Sequence, residues 1–326
     1  MPLISSLGVM NAVGFGFTGG FNQPFILTGG GTTGSPVAYK WSPNVGFSVI
    51  SSTLTGYTYS SFGSFSLNNK NAVICFTASP YMRVFPWTIN GAGTAYSDPA
   101  TALPGIALQA VFNPAGNIIA VSHGTAPYIS AYNFSNAGFG TKLANPSSLI
   151  AGTGNCVSFN STGSLVAVGG STADPIIAVY PFTGSFGTKY ADPTTPPNNN
   201  VNSIAFNSVT GELATAHKLY PYISVYPWNN GFGAKYADPA TTPVSLGMGV
   251  AFSPTGGDVS VCFTTTPFVY VYPWSAGFGV KYTNPSILPG GSANKVSFSK
   301  FDSSLAVAHD SAPRVTVYPF NSGFGT

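Results

Sequence analysis

Charge is the scarcest property of this chain. Of 326 residues, 8 are Asp or Glu and 11 are Lys or Arg, for a formal net charge of +3. Nucleic-acid binders carry clustered Lys and Arg. The basic residues here are scattered, so no nucleic-acid partner is expected. Cysteine is nearly absent too. Three cysteines, Cys75, Cys156 and Cys262, cannot make a disulfide framework. They are expected to be buried reduced thiols acting as small apolar groups. No run of about 18 apolar residues occurs, so no membrane insertion is expected. The opening residues Met1-Pro2-Leu3-Ile4-Ser5-Ser6 lack the basic stretch of a secretory leader. A sustained 3.6-residue pattern is missing, which argues against helices. Missing as well are a Gly-x-Ser-x-Gly elbow and a phosphate loop with its lysine. No enzyme activity, catalytic residue, metal or cofactor is expected.

What abounds is Gly (39), Pro (27), Phe (25) and Tyr (17), the composition of many short strands joined by tight turns. One signature recurs. It runs Ala38-Tyr39-Lys40-Trp41, Val84-Phe85-Pro86-Trp87, Ala131-Tyr132-Asn133-Phe134 and Val179-Tyr180-Pro181-Phe182. It continues as Val225-Tyr226-Pro227-Trp228, Val271-Tyr272-Pro273-Trp274 and Val317-Tyr318-Pro319-Phe320. The anchors at 39, 85, 132, 180, 226, 272 and 318 are separated by 46, 47, 48, 46, 46 and 46 residues. Seven such units fill residues 1–326 and leave no room for a second domain. A Phe precedes each anchor, at 15, 65, 112, 159, 206, 252 and 298, with a turn such as Asn113-Pro114-Ala115-Gly116 after it. A Gly-Phe-Gly segment follows the anchor, as in Gly231-Phe232-Gly233-Ala234-Lys235-Tyr236.

Alternation and Gly/Pro punctuation divide each unit into four strands. The expected fold is therefore all-β: a seven-bladed β-propeller of four-stranded antiparallel blades. The strand order and the Phe-Ser/Asn-Pro-x-Gly turn resemble the WD-repeat propellers. The Gly-His and Trp-Asp pairs that mark that family are replaced by the Tyr-Pro-Trp/Phe box, so the resemblance implies the fold and not that family's partners. The near-identical Gly-Phe-Gly-x-Lys-Tyr copies also look like repeat-built propellers of bacteriophage particles.

A ring of sheets must hide its two raw edges. Pro2 precedes Phe15 by 13 residues, as Pro99 precedes Phe112 and Pro285 precedes Phe298. Met1–Ser6 is therefore expected to complete the last blade, closing the ring with the N- and C-terminal strands. Deleting the first eight residues is then expected to lower the melting temperature sharply.

Few residues invite chemistry. His123, His217 and His309 each lie 11 residues after a repeat Phe, so they fall in different blades. They are expected to bond within their own blade rather than share a metal. Asp98, Asp192 and Asp238 precede Pro at equivalent places and suit local turns. Lys142, Lys189, Lys235 and Lys281 are expected to keep an outer edge soluble and unpaired. Trp41, Trp87, Trp228 and Trp274 share one position. They either pack at the blade edge or form a ring of platforms for sugars or other partners, where several weak sites gain avidity.

The neutral Ser/Thr/Asn/Gly-rich composition and the alike repeats point to a non-enzymatic structural or attachment protein. The expected location is a virus particle, as a phage tail or capsid-exterior component. Its partners would be other virion proteins or a host-surface glycan, and any oligomer would form through them. A lectin-like glycan binder and an intracellular WD-repeat-type scaffold are the alternatives.

Overall fold

The computed structural model describes residues 25–28, 37–42, 46–50, 60–66, 70–88, 90–171, 174–299, 304–311 and 314–325, with side chains from Gly63 onward. Every regular element among them is a β-strand, and the strands form seven antiparallel sheets in chain order. The third sheet shows the plan. Its strands Ala107–Phe112, Ile118–His123, Ile129–Ser135 and Gly138–Lys142 lie side by side in sequence order.

Local chemistry fixes the first turn of the third sheet. The Asn113 side-chain oxygen accepts from the N–H groups of Asn117 and Ile118, both at 3.0 Å. Gly116 takes φ +73°, a left-handed conformation that glycine adopts without steric cost. In the fourth sheet Asn160 and Gly163 repeat both features, and in the sixth Ser253 takes the Asn role. The recurring Asn/Ser-x-x-Gly is thus an Asx-type turn.

The second strands are apolar runs because both faces are covered. Ile118–His123 is buried along its whole length, as is Asn71–Phe76. The apolar clusters are shared between consecutive sheets. One joins Val73 and Val84 of the second sheet to Ile119 and Tyr132 of the third. Others join the third to the fourth, the fourth to the fifth, the fifth to the sixth and the sixth to the seventh. The core is therefore a chain of inter-sheet seams. Tyr180, Tyr226 and Tyr272 are each 0% exposed. Their hydroxyls donate to linker carbonyls of Ser148 (2.6 Å), Thr195 (2.9 Å) and Thr241 (2.7 Å). Each anchor thereby staples the incoming linker to its sheet, and Tyr318 does the same at Ile287 (2.8 Å).

The expected fourth strand needs correction. Among the described residues it is a strand only in the third sheet, as Gly138–Lys142, and in the second, as the two residues Gly91–Ala92. In the fourth to seventh sheets a single bridge stands there: Phe182 to Phe186, Trp228 to Phe232, Trp274 to Phe278 and Phe320 to Phe324. The cause is the Pro of the box. Pro181, Pro227, Pro273 and Pro319 turn their carbonyls to the outer segment, accepting from Gly187, Gly233, Gly279 and Gly325. Their missing N–H groups would have donated on that same side. The third sheet has Asn133 in place of Pro, and its edge strand extends to five residues.

The first sheet comprises Phe25–Thr28, Val37–Ser42 and Gly46–Ile50. Phe15 and the expected Met1–Ser6 strand lie outside the described residues.

Candidate functional site

The inner strands end at the repeat Phe, and six of these ends meet. Phe65, Phe112, Phe159, Phe206, Phe252 and Phe298 line one cavity of about 270 Å³ together with their turns. Six sheets thus contribute equivalent residues to a common mouth. Its wall is Phe, Val, Ile and Ala, and its rim is Ser, Asn and Pro. Among the described residues, no Asp, Glu, His, Lys, Arg, Cys or Tyr lines it. Acid–base and nucleophilic chemistry need a titratable or activated group in reach. The mouth offers instead apolar area with neutral hydrogen-bonding groups around it, the lining of a binding pocket.

Deeper along the inner strands, each of the second to seventh sheets carries a register shift near its start, such as Gly154/Cys156 and Val201/Ser203. A bulge frees one residue from the ladder. Two bulged asparagines use that freedom to tie sheets together. Asn155 donates to the Val201 carbonyl at 3.2 Å, and Asn202 to the Gly247 carbonyl at 2.8 Å. Lys295, 3% exposed, reaches from the seventh sheet to the fifth, where its Nζ donates to the Asn202 carbonyl at 3.0 Å. Burial lowers its pKa, because a desolvated ammonium is costly.

Trp87 and Trp274 are 3% and 5% exposed, and Trp228 is half-buried. The side chain of Trp41 lies outside the described residues. Trp274 is held edge-to-face between Tyr236 of the previous sheet (5.1 Å) and Phe278 of its own (5.1 Å). Trp228 sits likewise between Tyr190 and Phe232, both at 5.0 Å. A sugar platform requires an open ring face; the rings of Trp87 and Trp274 are enclosed in packing.

Each histidine bonds to its own sheet. His123 Nε2 pairs with Ser130 Oγ at 2.9 Å, and its Nδ1 lies 2.7 Å from the Thr125 carbonyl. His217 pairs with Ser224 and His309 with Thr316, both at 2.9 Å. Burial pulls His123 and His217 down to about 4 and lowers His309, so the first two imidazoles are neutral at pH 7. A serine beside a neutral histidine is the opening geometry of a nucleophilic dyad. Here Ser130 and Ser224 are 1% and 2% exposed, and a threonine replaces serine in the seventh sheet. The pairs are cross-strand clamps. The cysteines are buried and unbridged, and desolvation raises Cys156 and Cys262 to about 12.

The lysines of the outer segment meet acidic or amide partners in the turn that follows. Lys189 and Lys235 form ion pairs with Asp192 and Asp238, while Lys281 donates to Asn284 at 2.7 Å. Asp98 pairs with Arg83 at 3.1 Å. The edge lysines are therefore tied to their own following turns, because Lys and Asp or Asn three residues on face each other there.

No family model matches the sequence, and no curated protein matches it. The structure does have a counterpart. It superposes on the β-propeller domain of Cps50 (Swd1) from Myceliophteria thermophila with a TM-score of 0.66, at 12% identity, covering 98% of each chain. The sheets radiating from a shared mouth and this likeness define the chain's fold as an all-β propeller. At that identity the likeness carries the fold and no partner, and it lends no support to a particle role.

Proposed function

We propose that this chain is a non-enzymatic, seven-bladed propeller that works as a binding disc, taking a neutral, partly apolar segment of a partner protein at its central mouth. The observation behind this reading is the composition of that mouth among the described residues: six repeat phenylalanines, a Ser/Asn/Pro rim and no ionisable side chain. The described surroundings favour recognition over turnover, since the buried titratable groups are engaged in framework bonds. Seven blades rest on the seven units of the sequence and the seven described sheets. Closure of the ring by the N-terminal segment is part of the proposal.

The proposed setting is a virus particle, where the disc packs against other structural subunits. The low charge and the near-identical units support this setting. Ser161 and Ser208 are exposed at the rim, so Ser161→Glu and Ser208→Glu add charge there without burying it. Proteins that co-purify with the wild type from infected or producing cells are expected to be lost from both variants, with melting temperatures unchanged. Partners retained by both variants would refute docking at the mouth. Absence of the chain from purified particles would refute the virion setting while leaving the mouth untouched.

A further inference from the structure

At the opposite end of the strands, described residues of the second-to-third turns of the fourth and fifth sheets and of the linker between them line an open cavity of about 440 Å³. Its lining includes Asp174, Asn198, Asn199, Tyr220 and Lys235. This volume suits a small ligand.

The cavity arises where the repeat is broken. From the repeat Phe to the Pro of the second-to-third turn is 15 residues in five units: 65 to 80, 112 to 127, 206 to 221, 252 to 267 and 298 to 313. In the fourth unit it is 16, from Phe159 to Pro175. The residue before that Pro is Ser79, Ala126, Thr266 or Ala312 in other units. At the cavity it is Asp174 on one side and Tyr220 on the other. The linker there reads Thr195-Pro196-Pro197-Asn198-Asn199-Asn200, unlike any other.

The groups at the cavity are complementary. Tyr220 is 60% exposed, and its ring stands edge-to-face to Tyr222 at 6.2 Å. Asn198 commits its side-chain N–H to the Tyr220 carbonyl at 2.9 Å, which leaves its side-chain oxygen as an acceptor. Asn199 commits its side-chain oxygen to the Asn200 N–H at 2.9 Å, which leaves its NH₂ as a donor. Asp174 is exposed and adds a carboxylate. The Lys235 charge is matched by Asp238.

We infer that this cavity is a saccharide site for a neutral sugar. The exposed Tyr220 ring accepts the C–H face of a pyranose, since aromatic faces carry negative potential. The paired amides address one hydroxyl as acceptor and one as donor. The Asp174 carboxylate accepts from a further hydroxyl in a charge-assisted bond. Asp174 has no ion pair among the described residues, and its carboxylate disfavours anionic sugars. The tryptophan position plays no part.

The test is saturation-transfer NMR with glucose, galactose, N-acetylglucosamine and their disaccharides, backed by a glycan array. Asp174→Ala and Tyr220→Ala install the residue other units already carry, so both are expected to melt like the wild type. The wild type is expected to bind at least one neutral sugar with a Kd on the order of 1 mM. Each variant is expected to lose about tenfold or more, and Ser161→Glu at the other end is expected to bind as the wild type does. No response to any neutral sugar, an equal response in both pocket variants, or a response confined to acidic glycans or peptides overturns the inference.

Discussion

The two ends of the strands are built by opposite means. At the mouth, six sheets present the same Phe, and the third to sixth add their turn residues, so repetition makes one neutral surface among the described residues. At the other end, one longer turn, one distinct linker and two unmatched residues shape a cavity between the fourth and fifth sheets. Repetition delivers a framework, and departures from it deliver chemical individuality. Damage to the framework should therefore cost stability and spare the cavity, while changes in the cavity should cost ligand and spare stability.

Acid should strain this division most. His123 and His217 have folded pKa values near 4, below an unfolded value of about 6.5. Above pH 6.5 both states are neutral and nothing changes. Between 6.5 and 4 the unfolded chain takes up protons that the folded chain refuses, so stability falls as pH falls. The loss is on the order of 3 kcal/mol per histidine across that window. Urea midpoints at pH 7, 5.5 and 4.5 should fall in that order, and a flat series would show that the buried clamps do not control stability.

Next in size is Gly169→Ala. An added Cβ would meet Val201 Cγ1 at 2.4 Å and Cys156 Sγ at 2.7 Å, in the seam between the fourth and fifth sheets. Overpacking of this kind costs about 1–3 kcal/mol. If that seam also set the cavity's shape, sugar binding would fall with the melting temperature, and the proposed separation of roles would fail. Tyr272→Phe removes one partly buried bond to the Thr241 carbonyl and should cost about 1 kcal/mol. The smallest effect is expected from Pro227→Asn, which restores a donor facing the outer segment. Amide exchange at 231–235 should slow toward that of 138–142, with a stability change under about 1 kcal/mol. Unchanged exchange would mean that something other than the missing N–H limits the edge.

Much of this framework was legible in the chain. The 46-residue period, the Asx turns after Phe112 and Phe159, and the apolar second strands follow from local pattern alone. The edge was misread because Pro181 and its equivalents fit a third strand equally well. Only the pairing direction shows that the missing N–H faces outward. The histidines were placed correctly within their own sheets, but Ser130 and Ser224 as their partners depend on register. The tryptophans were legible as one repeat position with packing as one of two readings; choosing packing for Trp274 needed Tyr236, which arrives from the preceding sheet. The cavity was missed because Asp174, Asn198 and Tyr220 come from three loops, and an aperiodic residue looks like noise beside so strong a repeat. The extra residue before Pro175, visible in the 48-residue interval, was the signal.

Lys295 has a mechanical consequence. Its Nζ ties the seventh sheet to the Asn202 carbonyl of the fifth, past the sixth sheet that lies between them in chain order. The bond works as a tie rod: a displacement of either sheet pulls on the other, so the inner strands of three sheets yield together or not at all.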